Sequence, residues 1–232
     1  MNNKECKETQ LQQMLTRLRT RILVMSASVG IAVDDACAAL IESNVGKASA
    51  VIDGDGAIND MENEIDEMAL ALLVRNQPVA QDLRFVVAGL RMVLDLERIG
   101  DEAVSIAERT LILQGQLPPA VINAISDLMS LAGTLYKNAV ECFRSGDPRQ
   151  SLKLCRTDDD EITQQEVRAL QSLMDYFYAI QEQGGGIEPS FAGMHGILIC
   201  RALSRICRRS VNIAEHAYFI ATGRNIKHKK EA

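Results

Sequence analysis

Glu97, Asp101 and Glu108 lie on one side of a predicted helix. At about 100° per residue, with Glu97 at zero, Asp101 falls near about +40° and Glu108 near about +20°, in the direction of Val86, Leu90, Val93 and Val104. A second acidic stripe follows an i, i+4, i+7, i+11 spacing through Asp55, Asn59, Glu62 and Asp66, bordering Ile58, Ile65 and Ala69. Like charges placed this way repel, and partial burial strips their hydration, so they need cations, protons or arginine partners. A hard metal cation held by carboxylate oxygens meets that need. The plainer alternative is the acidic, solvated flank of a long surface helix, because clustered carboxylates mark functional sites only probabilistically. Arg91, Asp95, Arg98 and Glu102 fall between about +100° and +160°, which reads as the ordinary solvated face.

The elements that carry these stripes are helices. The chain has 232 residues, 47% of them hydrophobic but only 4% aromatic, with no Trp, a composition that favours an all-α fold over a sandwich or barrel. Periodicity predicts six long helices, over about 11–43, 47–75, 78–113, 119–144, 149–183 and 189–222, with Pro78 at a helix start. Gly115 and Pro118-Pro119 divide the chain into halves, and the tail GRNIKHKKEA reads as frayed.

The halves resemble one another. At an offset of 107, Gly89, Leu96, Arg98, Ile99, Val104, Ile106, Ala107 and Glu108 recur as Gly196, Leu203, Arg205, Ile206, Val211, Ile213, Ala214 and Glu215. At an offset of 104, Asp55, Ile58 and Glu62 recur as Asp159, Ile162 and Glu166. Such self-similarity predicts two tandem three-helix bundles, residues 1–116 and 117–232. The net charge of −6 conceals an asymmetry: Asp53 to Glu108 carries 13 acids against four Lys or Arg, whereas His195 onward carries eight Lys or Arg against two acids. The acidic average argues against a dedicated nucleic-acid binder. The basic C-terminal segment suits an acidic partner, a phosphate group or an anionic membrane surface, or is simply a solvated helix end favoured by the helix dipole.

Other features narrow the function. The six cysteines form no CxxC pair and fit reduced thiols in a cytosolic protein. The opening MNNKECKETQ is too polar for a signal peptide, and the longest weakly polar run, Ile22 to Val33, has about 12 residues against roughly 20 needed to span a bilayer. The reading is therefore of a soluble, cytoplasmic chain. His195, His216 and His228 lack the spacing of zinc enzymes or diiron centres, with His216 suited to an interface. No Gly-rich phosphate loop follows a strand.

The stretch RNQPVAQDLRFVVAGLRMVLDLERIGDEAVSIAER, Arg75 to Arg109, closely resembles the signature of the PhoU family of bacterial phosphate-transport regulators, and a weaker family pattern covers almost the whole chain. The resemblance implies two three-helix bundles in tandem. It also places the family's E/D-x-x-x-D motif at Glu97 and Asp101, which binds multinuclear iron or zinc clusters in some members, with Glu62, Asp66 and Glu108 as further candidate ligands. The second repeat departs from this pattern. It reads LSRICRRSVNIAE where the family has LERIGDHATNIAE, so Ser204 replaces the Glu, Arg208 the Asp, and Arg209 follows. Thr163 stands opposite Asn59 and Leu170 opposite Asp66. A second metal site is therefore not expected, and Arg208 and Glu215, about 20° apart on one stripe, suit an ion pair or a bridge through a third group.

By resemblance the chain is a non-enzymatic negative regulator of phosphate uptake and phosphate-starvation signalling. It would bind the phosphate ABC transporter's ATPase subunit and a phosphate-sensing histidine kinase, form a homodimer, and reach the membrane only through its partners. Two alternatives stand beside this: a metal-dependent phosphoester hydrolase, disfavoured by the missing histidine ligands, and a divergent helical scaffold for another partner.

Overall fold

The computed structural model describes residues 3–114, 116–156 and 159–226. Gly115, assigned above to the break between halves, and the tail from Lys227 onward lie outside the described residues. The chain forms α1 (Asn3–Ile41), α2 (Val45–Asn76), α3 (Ala80–Ile112), α4 (Pro119–Ser145), α5 (Pro148–Cys155), α6 (Asp159–Glu182) and α7 (Ile187–Thr222).

Three boundaries differ from the sequence expectation. The first helix begins at Asn3 rather than near Leu11. Pro78 precedes α3 instead of opening it, because Gln77 closes α2 in a left-handed conformation (φ 44°) and Val79 is extended at the cap of α3. The expected fifth helix is two. Arg156 caps α5, and α6 restarts with Asp160 and Glu161 in its first turn, where carboxylates meet the positive end of the helix dipole rather than a helix interior. Side-chain caps mark two starts: Asn44 accepts from the Lys47 N–H at 3.0 Å, and Asp147 from the Arg149 N–H at 2.8 Å.

α1, α2 and α3 pack on one another as the first repeat, and α4, α6 and α7 as the second, with α5 against α4 and α7. α3 packs on α7 and α1 on α4, so the repeats share one hydrophobic core. The duplication extends to close helix approaches. A Cβ on Gly89 of α3 would lie 3.1 Å from Ile22 of α1, and one on its repeat equivalent Gly196 of α7 would lie 2.5 Å from Val121 of α4. A side chain at Gly196 would overlap Val121 and Leu173, whereas one at Gly89 would require Ile22 to give by a few tenths of an ångström.

Between Thr9 and Ile41, α1 is long and apolar enough to span a bilayer by composition, beyond the 12-residue run counted above. Its stripe of Leu18, Ile22, Met25, Val29, Val33, Ala36 and Leu40 is instead buried in the bundle core. That is the pattern of a core helix, with its apolar face satisfied by protein. The five cysteines whose side chains are described are free thiols, and burial pushes Cys37, Cys155 and Cys207 up to about 12, which makes them poor nucleophiles.

Candidate functional site

Glu62 and Asp66 of α2 face Glu97 and Asp101 of α3. Glu62 and Glu97 are half-buried, whereas Asp66 and Asp101 are exposed. Burial raises Glu62, and the charges of Asp66 and Asp101 raise it further against a smaller opposing effect of Arg98. Burial likewise raises Glu97, with Asp101 and Glu62 adding to it. The two stripes read from spacing thus meet across a helix pair, and Glu62 and Glu97 are the acids their surroundings make harder to ionise. Along α2, Asp55 accepts a 2.9 Å hydrogen bond from the Asn59 amide. Glu108 shares the direction of the stripe but not the patch. Seven residues set it about 10 Å along the helix from Asp101, where it is exposed and 4.0 Å from Arg109.

The donor chemistry of this patch fits a hard or borderline cation, since every candidate ligand is a carboxylate. Among the described residues no three His, Cys, Asp or Glu side chains converge in a metal-holding arrangement, so the carboxylates face one another without forming a closed cage.

The second repeat answers the same electrostatic problem differently. Glu166, the repeat equivalent of Glu62, accepts a 2.6 Å hydrogen bond from the Ser204 hydroxyl and one of 2.9 Å from Arg208 Nη2. Arg208 Nη1 also donates to the Ser204 oxygen. Burial alone would raise Glu166, but Ser204 and Arg208 together more than reverse it and hold the carboxyl below its ordinary value. The residues standing at the positions of Glu97 and Asp101 therefore neutralise the acid that remains. This corrects the expected pairing: Arg208 bonds Glu166 of the neighbouring helix rather than Glu215, which instead lines a cavity with Cys155, Tyr218 and Arg224. A helical wheel shows which residues share a direction on one helix, but an acid on the facing helix can be nearer than one two turns away.

The face assigned to solvent also proves otherwise. Asp95 is 8% exposed and lies under α7, bonded through Oδ1 to Arg209 Nη1 at 3.2 Å and to the Asn212 amide at 3.4 Å, with His216 Nε2 3.4 Å from Oδ2. Glu102, with its side chain 12% exposed, pairs with Arg205 Nε at 2.7 Å, and burial still raises its carboxyl despite that arginine. Only Arg91 and Arg98 of that group are exposed. His216 is an interface residue, as its spacing suggested. His195 is buried edge-on against Phe191, where burial, aided by the charge of Arg109, lowers its basicity.

Two solved structures share this architecture, and several named relatives match in sequence. The crystal structure of PhoU from Pseudomonas aeruginosa superposes with a TM-score of 0.83 at 30% identity, covering 92% of this chain and 99% of that one. The phosphate transport system regulatory protein PhoU from Streptococcus pneumoniae shares the fold with a TM-score of 0.80 at 23% identity, covering 93% and 98%. In sequence, the phosphate-specific transport system accessory protein PhoU homolog of Pseudomonas putida is 31% identical over 98% of this chain and 88% of its own length. The Escherichia coli accessory protein PhoU is 27% identical over 94% and 88%. The PhoU domain profile matches twice, over residues 22–110 and 125–217, one match for each bundle found by the internal repeat. With the acidic pair Glu97 and Asp101 in the first match and its neutralised copy in the second, the chain belongs to the PhoU family.

Proposed function

We propose that this protein is a non-catalytic accessory regulator of phosphate-specific transport, restraining phosphate uptake and starvation signalling when phosphate is plentiful. The observation that carries this reading is the paired PhoU-domain match over both bundles, together with relatives named as accessory proteins of phosphate-specific transport. Its partners are the transporter's ATPase subunit and a phosphate-sensing histidine kinase, which it meets in the cytoplasm, touching the membrane only through them. Long helical faces with exposed apolar side chains such as Leu70 and Val74 on one bundle and Tyr178, Phe191 and Met194 on the other support docking and a homodimer. Burial of the apolar stripe of α1 supports a chain outside the bilayer. A deletion strain is expected to take up phosphate and express starvation genes at high phosphate. Uptake and gene output equal to the parent's at both high and low phosphate would refute the reading.

We further propose that Glu62, Asp66, Glu97 and Asp101 hold iron or zinc, the cation offsetting the burial and the neighbouring charges that raise Glu62 and Glu97. Its role here is structural: it neutralises the patch and ties α2 to α3. Elemental analysis of purified protein should find the metal in the wild type and lose most of it in Glu97→Gln. Equal metal content in the two would remove the assignment.

A further inference from the structure

At the junction of the repeats α3 and α7 run antiparallel. Asp95 meets Arg209, Asn212 and His216, while Glu102, further along α3, meets Arg205, which precedes them on α7. Because the 107-residue repeat relates these two helices, each position at the junction has a counterpart on its other side. Arg98 is the repeat equivalent of Arg205, and Arg209 is that of Glu102. One side of the crossing therefore pairs a base with an acid, Arg205 with Glu102 at 2.7 Å, and the other presents two guanidinium groups in the same two positions. Neither of those two positions carries an acid, and Arg209 is paired instead with Asp95, about one turn back from Arg98 along α3.

Arg98 and Arg209 line a cavity of about 290 Å³, with Arg91 and Asn212 in its wall. Asp95 compensates Arg209 through Nη1, but Arg209 Nε is buried without a hydrogen-bond partner. Arg91 makes no hydrogen bond or ion pair among the described residues. Arg98 acts on Glu62 and Glu97 through its charge alone, with neither kind of contact to them. Guanidinium groups converging on a small polar cavity, with an amide beside them, are the recognition chemistry of a tetrahedral oxyanion. The carboxylates of Asp95 and Glu215 line the same cavity. They would repel a fully deprotonated anion such as sulfate, yet can accept a hydrogen bond from an oxyanion that keeps a proton at neutral pH.

We propose that this groove between the two repeats binds free orthophosphate. The oxyanion class rests on the groove alone, whereas the choice of orthophosphate also rests on the regulatory reading above. A phosphate held there touches α3 of one repeat and α7 of the other, so occupancy tightens the seam between them and links phosphate level to the relative stability of the two-repeat assembly.

Calorimetric titration of orthophosphate into full-length, EDTA-treated protein should give saturable binding at one site, accompanied by a rise in melting temperature. The Arg91→Gln/Arg98→Gln variant changes two exposed side chains and should remain folded, yet weaken binding by at least about tenfold, as expected for lost charge-assisted hydrogen bonds. Sulfate should bind at least about tenfold more weakly than orthophosphate, since it offers the carboxylates no proton. The proposal is overturned if the wild type shows no saturable binding at millimolar phosphate, if the arginine variant binds equally well, or if sulfate matches orthophosphate. Tighter binding of phosphoserine than of orthophosphate would overturn assignment to the free ion. A groove that fails these tests beside a deletion strain that still loses regulation removes the phosphate site and leaves the regulatory role standing.

Discussion

Leu203→Ala is expected to lower the stability of the whole protein by about 2–5 kcal/mol, and Leu96→Ala by a similar amount, each within a single urea transition. Both leucines are fully buried, at equivalent positions of the two repeats, and both belong to one core cluster that runs through both bundles. Truncation removes transferred apolar surface and leaves a cavity that long, mutually packed helices close poorly. The informative feature is the shape of the transition. Two bundles that merely touched would unfold separately, and a lesion in one would leave the other's midpoint in place. Contacts of α3 with α7 and of α1 with α4 make the repeats share their core, so either lesion should shift the same midpoint. Circular dichroism over a urea gradient reads this directly, and a biphasic curve in either variant, with one phase at the parental midpoint, would show that the repeats unfold independently.

Arg209→Ala is expected to cost about 2–4 kcal/mol, because it leaves the buried carboxylate of Asp95 without its guanidinium partner. Asn212 and His216 remain as neighbours, which keeps the cost below that of a wholly stranded charge. The double substitution Asp95→Leu/Arg209→Met should recover most of the loss, since replacing both members of a buried ion pair with apolar groups of similar size is often neutral. Full stability in Arg209→Ala would mean that water, not Arg209, solvates Asp95. With the single variants Asp95→Leu and Arg209→Met, the double substitution completes a cycle that measures the coupling across the repeat junction.

The all-helical fold and its duplication were legible because they depend on local and periodic properties. The 107-residue recurrence from Gly89 to Glu108 reports two copies of one helix whatever their arrangement, and Gly89 and Gly196 both prove to be points of close helix approach. The helix pair carrying Glu62, Asp66, Glu97 and Asp101 was likewise legible as two acidic stripes. Less so were the helix ends. The break after Arg156 and the place of Pro78 before α3 turn on single capping conformations, which periodicity does not register.

The charged partners were the least legible feature. Asp95 and Glu102 sit on a stripe that a wheel assigns to solvent, and Arg208 shares its own stripe with Glu215, so spacing along one helix pointed to the wrong environment in one case and the wrong partner in the other. The missing signal was available only in part: once Glu62 is matched to Glu166, the substitutions at Ser204 and Arg208 fall opposite that acid.

Sequence by itself determined that this protein is a duplicated helical bundle of the PhoU family with an acidic first copy and a basic C-terminal segment, because composition, period and repeat are properties of the chain. Tertiary structure alone decided that Glu166 is neutralised by Ser204 and Arg208, that Asp95 is buried beneath α7, and that Arg98 and Arg209 share a cavity. Each of these depends on the rotation and crossing of a second helix, which is set by the packing of apolar side chains far apart in the chain. The charge of a residue is written in its name, whereas its dielectric surroundings and its nearest opposite charge are assigned by the fold.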